Sequence, residues 1–195
     1  MKVRLTAFLV AAVFAAVAGS AASHAQFQIN PFSQYYENVA RAAKQNDAGL
    51  VRSLLAGGSP PDQTDEVMRT GMHYAAMNGN LQIIAILIKG GAKLDSKEKL
   101  GNTPLHLAAD LNQTEAAKLL VDAGAAVDPE NKSGMTPLMI AANRGNVEIV
   151  QALLVKGASV TKTDYTGRDA AGWAAESHRP AVVQAIKRAQ SAKKS

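Results

Sequence analysis

The fold class this chain predicts is an all-α repeat solenoid, and two regularities predict it. The pair Ala-Ala recurs five times at a fixed step of 33 residues, at Ala42-Ala43, Ala75-Ala76, Ala108-Ala109, Ala141-Ala142 and Ala174-Ala175. Glycines keep the same step at Gly58, Gly91, Gly124 and Gly157. A fixed period of this size describes a stack of small units, none able to bury its apolar face alone, so that each is covered by its neighbours.

In chain order, residues 1–25 stand apart. Lys2 and Arg4 precede the uncharged run Leu5 to Ala18, and small residues lead on to Ser23-His24-Ala25. This is the pattern of a secretory signal peptide with an A-x-A-like cut after Ala25, leaving Gln26 first. The run is shorter than the roughly 20 residues of a membrane span. No stable membrane insertion is therefore expected after cleavage; an uncleaved anchor is the alternative reading. Loss of the leader's two cations leaves 19 Lys+Arg against 16 Asp+Glu, a net charge near +3. Dispersed along the chain, that charge does not form the clustered basic face nucleic acid requires, and Lys187, Arg188, Lys193 and Lys194 read as a solvated end. The absence of cysteine excludes disulfides and a lipid-modified cysteine. A leader without paired arginines suits export of the unfolded chain.

After a short lead-in over 26–34, each unit reads as two short helices. The first is entered through Thr103-Pro104-Leu105-His106 and Thr136-Pro137-Leu138-Met139, with a degenerate form at Thr70-Gly71-Met72-His73. Thr caps a helix, and Pro suits the first turn, where a missing N–H does no harm. The small alanine pairs let this helix lie close against its neighbour. The second helix carries apolar pairs four residues apart, such as Leu50-Val51 with Leu54-Leu55 and Ile83-Ile84 with Leu87-Ile88, which give it one apolar face. The periodic glycines then end it in a positive-φ conformation. Polar, turn-forming stretches such as Ala92 to Asn102 and Ala125 to Met135 read as hairpin-like loops between the helix pairs.

The segments Gly101-Asn102-Thr103-Pro104-Leu105-His106-Leu107-Ala108-Ala109 and Gly134-Met135-Thr136-Pro137-Leu138-Met139-Ile140-Ala141-Ala142 closely resemble the ankyrin repeats, whose unit is about 33 residues long with a T-P-L-H-x-A signature. The resemblance covers about Tyr35 to Gln190. It implies an ankyrin-repeat stack of helix-turn-helix units with hairpin-like loops, a single domain over 35–190 followed by a polar tail at 191–195. About five repeats are expected, at 35–67, 68–100, 101–133, 134–166 and 167–190, the first and last being caps. In the first, Glu37-Asn38-Val39-Ala40 replaces the signature, and the helix is expected to begin earlier, near Ser33. In the last, Asp169-Ala170-Ala171-Gly172 replaces it, and Lys187 takes the place of Leu55, Ile88, Val121 and Leu154. A charge there suits an end on which nothing stacks. Pro180 is expected to open the last helix, and Trp173 to pack the final unit against the fourth.

His73 and His106 lie one repeat apart, yet the register puts Ala40, Met139 and Gly172 at the equivalent positions, and no further ligand set stands at suitable spacing. The resemblance implies that this histidine hydrogen-bonds neighbouring loops. His178 replaces the Gly or Asn between helices and is expected to be exposed. Asp62, Asp65, Glu66, Asp95 and Glu98 are expected on exposed loop tips, whereas acid/base chemistry needs a pocket that separates two pKa values. With no phosphate-binding glycine loop and no nucleophile elbow, no enzyme activity, cofactor or metal is expected.

The resemblance also implies that a protein partner docks on a concave side made of loop tips and the ends of the first helices. The helix-end pairs are Lys44-Gln45, Met77-Asn78, Asp110-Leu111, Asn143-Arg144 and Glu176-Ser177. Met77 and Leu111 are apolar there and make the best contact anchors, unless adjacent helices cover them. Loop tips add Lys97, Lys99, Lys132 and Tyr165, cations beside an aromatic. The candidate partner-binding set is thus Met77, Asn78, Lys97, Lys99, Asp110, Leu111, Lys132, Asn143, Arg144 and Tyr165. The expected function is that of a monomeric, non-enzymatic protein–protein interaction module of the cell envelope, periplasmic, that scaffolds, stabilises or inhibits its partner. Alternatives are a secreted effector acting on host proteins and a periplasmic immunity-type protein neutralising a toxin.

Overall fold

The structure, a computed structural model, describes residues 38–192. The leader and cleavage site predicted over 1–25 and the lead-in at 26–34 lie outside the described residues. Over 38–192 the chain forms five helix pairs: α1 Val39–Lys44 with α2 Ala48–Ala56, α3 Gly71–Asn78 with α4 Leu81–Lys89, α5 Pro104–Asp110 with α6 Thr114–Asp122, α7 Pro137–Arg144 with α8 Val147–Val155, and α9 Ala170–Glu176 with α10 Pro180–Ala192. The odd-numbered helices stack in one row and the even-numbered helices in a second. There is no strand among the described residues, only an isolated bridge between Thr64 and Thr70 in the first hairpin.

The alanine pairs explain the close spacing of the odd row. Ala42, Ala43, Ala75, Ala76, Ala108, Ala109, Ala141 and Ala142 are all fully buried, and a methyl group at each lets the backbones of successive helices approach. Of the pair in the last unit, Ala174 is buried and Ala175 faces solvent, no further helix of the odd row packing beyond α9 among the described residues. The layer between the rows is filled by Ile83, Ile84 and Leu87 of α4, Leu120 of α6, Ile149, Val150 and Leu153 of α8 and Ile186 of α10. Fully burying side chains of this size stabilises by about 1.5–3 kcal/mol each.

Each helix pair turns through a residue of positive φ, at Asn46, Gly79, Asn112, Gly145 and His178, with values from 55° to 80°. The next residue but one begins the second helix. Asp47, Asn80 and Asn146 cap α2, α4 and α8 through their side chains, accepting from Leu50 N at 2.8 Å, Ile83 N at 2.9 Å and Ile149 N at 3.0 Å. The Asn80 amide also donates to Asn46 Oδ1 at 2.8 Å, so a cap in one unit is tied to the turn of the preceding one.

Two boundaries differ from those expected. The first helix starts at Val39, not near Ser33, because Asn38 is extended at φ −133° and ψ 168° and its side chain accepts from Arg41 N at 2.8 Å. An Asn cap stops a helix from extending back through it. At the other end α10 runs through Ala192, into the segment read as a polar tail. It opens at Pro180, and Lys187 on it is exposed, as a closing unit requires.

Candidate functional site

Four hairpins separate the helix pairs, and their tips are built on one plan. In three of them an Asp or Asn closes the turn by accepting from two amides ahead of it. Asp65 Oδ1 takes Val67 N at 3.0 Å and Arg69 N at 2.9 Å. Asn131 Oδ1 takes Ser133 N at 2.9 Å and Met135 N at 3.0 Å, and Asp164 Oδ1 takes Thr166 N at 2.9 Å and Arg168 N at 3.0 Å. The short side chain makes this possible. Glu98 holds the fourth equivalent position with one methylene more, and it turns inward. Its Oε1 accepts from Asn102 Nδ2 at 2.8 Å, and its Oε2 lies 3.4 Å from Arg69 Nε of the preceding hairpin. Glu98 is therefore buried, contrary to the expectation of an exposed loop tip.

Asp62 and Asp95 are also more than solvated carboxylates. Asp62 Oδ1 accepts from Lys93 N at 2.9 Å and Asp95 Oδ1 from Ala126 N at 3.0 Å, each reaching one hairpin ahead. At the tips, backbone bonds join each hairpin to the next: Lys99 N to Val67 O at 3.0 Å, Lys132 N to Leu100 O at 2.9 Å and Tyr165 N to Ser133 O at 3.2 Å.

The buried histidines are part of the same framework. His73 Nδ1 accepts from Thr70 N at 3.1 Å, and its Nε2 donates to Asn102 O at 3.1 Å. His106 repeats this with Thr103 N at 3.1 Å and Met135 O at 3.0 Å. Since Nδ1 accepts, the proton resides on Nε2, and the ring is neutral. Burial pushes the pKa of His106 down to about 4 and lowers that of His73. Met139, the next in register, has no donor to offer. Both rings thus latch one helix to the following hairpin, the loop-bonding role the resemblance implied for them.

A second fastening occurs in the first and last hairpins. The Tyr74 hydroxyl donates to Asp65 Oδ2 with Arg69 over its ring at 6.0 Å. Trp173 Nε1 donates to Asp164 Oδ2 at 3.1 Å with Arg168 over its ring at 4.2 Å. Burial raises the two carboxyls, but the aromatic donors, the turn amides and Thr166 or Arg69 outweigh it and hold both below their ordinary range. Leu107 and Ile140, at the aromatic position in the two middle units, are buried.

The predicted partner-binding residues fall into two groups that the structure treats differently. Along the helix ends, most polar groups are already engaged between units. Arg144 Nε and Nη2 donate to Asp110 Oδ1 at 2.9 and 2.6 Å, Asn78 Nδ2 donates to Ala43 O at 3.4 Å, and Asn143 Oδ1 accepts from the Ser177 hydroxyl. Met77 is half-buried against the core, and its carbonyl accepts from Gln113 Nε2 at 3.1 Å. Leu111 alone of the two apolar anchors stands out, 46 % exposed.

At the hairpin tips, Lys97, Lys99, Lys132 and Tyr165 line a groove of about 430 Å3 together with Met68, Glu98, Gly101, Glu130 and Asn131. Met68 in the groove and the exposed Leu100 between Lys99 and Gly101 add apolar surface at the tips that residue-by-residue reading of the sequence does not reveal. The missed signal is the register: Gly101, Gly134 and Gly167 follow Met68 at 33-residue steps.

Among the described residues no group of three His, Cys, Asp or Glu side chains is placed to hold a metal ion, and no helix is long and apolar enough to cross a membrane. His178 is exposed, as expected of a turn residue.

Among curated proteins, none matches the chain. The family model of ankyrin repeats (three copies) matches residues 39–131 and 123–194. That span takes in all five helix pairs, their turns and every hairpin just described, and by it the chain belongs to the ankyrin-repeat family.

Proposed function

We propose that this protein is a non-enzymatic binding module of the cell envelope that holds a protein partner on the face formed by its hairpin tips and odd-numbered helix ends. Ankyrin repeats are, in general, protein–protein interaction modules. The observation that carries the reading is the backbone bonding between hairpin tips, Lys99 N to Val67 O, Lys132 N to Leu100 O and Tyr165 N to Ser133 O, which fixes a row of exposed side chains before any partner arrives. A surface already in its bound arrangement loses little conformational freedom on association. The envelope location rests on the leader-like composition of residues 1–25, and on that surface the module scaffolds, stabilises or inhibits its partner.

Affinity capture from an envelope extract with the purified protein as bait, followed by mass spectrometry, tests this. Leu111→Glu with Tyr165→Glu is the control, since both side chains are exposed. The expected result is a specific partner lost in the double variant at unchanged thermal midpoint. A partner retained by the variant would remove this face from consideration. Fractionation of cells tests the location, with recovery in the periplasm expected and recovery in the cytoplasm or medium against it.

A further inference from the structure

Resting on that binding reading, we propose that the occupant of the tip groove is an extended, acidic segment of the partner that also carries apolar side chains. The groove crosses all four hairpins, taking Met68 from the first, Lys97, Lys99 and Gly101 from the second, Asn131 and Lys132 from the third and Tyr165 from the fourth. A groove lined by residues of four successive hairpins suits a chain laid across the tips.

The charge is one-sided where it matters. Lys97, Lys99 and Lys132 line the groove, while its two carboxylates are already neutralised. Glu98 is buried against Arg69 and Asn102, and Glu130 is paired with Lys162. Lys97 is itself positioned, donating from Nζ to Glu130 O at 2.8 Å. Glu66, in register with Lys99 and Lys132 on the first hairpin, is exposed and would repel a carboxylate there, so the acidic part of the segment belongs over the second and third hairpins.

The apolar component is equally specific. Met68, Leu100 and Tyr165 are 52 %, 62 % and 74 % exposed. Met68 holds φ 62°, a left-handed conformation that glycine occupies at each of the next three hairpins, with φ 80°, 75° and 81° at Gly101, Gly134 and Gly167. A residue with a Cβ is disfavoured there, and such strain at an exposed position points to a use for the side chain. The partner therefore supplies carboxylates for the lysines and aliphatic groups for Met68 and Tyr165, with Leu100 exposed beside the groove.

Fluorescence anisotropy with a labelled peptide alternating Glu and Leu tests this, against peptides alternating Lys and Leu, or Glu and Ser, and against single-stranded oligothymidylate. Binding is expected for the Glu–Leu peptide alone, weakened about tenfold by Lys99→Glu with Lys132→Glu and by raised salt. Met68→Gly separates use from structure: it is expected to raise the thermal midpoint while weakening the peptide several-fold. Equal binding of the Lys–Leu peptide, indifference to the lysine variants, or preference for the oligonucleotide would each overturn the proposal. If the partner captured from the envelope is retained by the Lys99→Glu/Lys132→Glu/Met68→Gly protein, the tip assignment fails while the binding function stands.

Discussion

The middle of this stack and its last described unit are fastened by different chemistry. In the middle, His73 and His106 are buried and neutral, each joining a helix to the hairpin that follows through one accepted and one donated hydrogen bond. In the last described unit Trp173 donates to Asp164 of the hairpin before it, with Arg168 over the ring; Tyr74 makes the same kind of bond to Asp65, but on the helix of His73 and buried. A middle unit is covered on both sides, so it keeps the imidazoles, and the Tyr74 ring beside them, dry. The last described unit has a wet side, where Trp173, with one apolar face and one polar handle, remains anchored while partly solvated.

The sharpest way to break this comparison is to move a latch. His106→Met leaves the Thr103 amide and a lone pair of Met135 O without their partner, and a loss of about 3 kcal/mol in urea-unfolding free energy at neutral pH is expected. Met139→His is the reciprocal change. Thr136 is already in place, and Arg168 O stands in register with Asn102 O and Met135 O. Its effect at neutral pH should stay within about 1 kcal/mol of zero, with an added dependence on acid.

That dependence has a defined sign. His106 titrates near 4 when folded against 6.5 ordinarily. Between those values the unfolded chain binds a proton that the folded chain refuses, so stability is full above pH 6.5, falls as pH drops toward 4, and changes no further from this group below that. The loss from His106 is about 3 kcal/mol. Asp65 and Asp164, held below their ordinary value of 3.8, extend the loss at lower pH as they protonate. Urea titrations across this range should show the slope reduced in His106→Met and steepened in Met139→His. An unchanged slope would mean the histidines do not hold the middle.

In the last unit, Trp173→Leu removes the bond to Asp164 and the stacking of Arg168, and should cost about 1–2 kcal/mol. Because a repeat stack unfolds by units, hydrogen exchange should quicken in α9 and α10 and leave α5 unaffected. The smallest effect expected is from Arg144→Ala. The ion pair with Asp110 is solvent-exposed, so below about 1 kcal/mol should appear in the thermal midpoint. A larger shift would make the helix-end row part of the scaffold and concentrate recognition further on the tips.

The features legible in the sequence are those that repeat with the unit. Alanine pairs, turn glycines and Thr-Pro entries report on what each residue meets in its own unit or one full step away. Glu98 was illegible because its burial depends on Arg69 and Asn102, drawn from either side of it at unrelated spacings, and a carboxylate in a polar stretch looks the same solvated or enclosed. Met77 reads as exposed by register, yet Gln113 from the next unit reaches its carbonyl and the core takes up half its side chain. The start of α1 is hard to read because the first unit lacks the Thr-Pro entry and relies on Asn38, a good cap in its own right. Lys97, Lys99, Lys132 and Tyr165 could be placed at tips from the hairpin pattern alone, but the groove they share with Met68 is a property of four hairpins side by side.

The backbone bonds between tips have a consequence for how such a protein can change size. Each donor and acceptor belongs to the same notch of adjacent units, Leu100 O and Ser133 O being equivalent. Excision of residues 101–133 would bring Tyr165 N to Leu100 O and leave the ladder continuous. The molecule is in this sense a ruler cut in whole divisions, and the reach of its tip row can be lengthened or shortened with the backbone ladder kept in register.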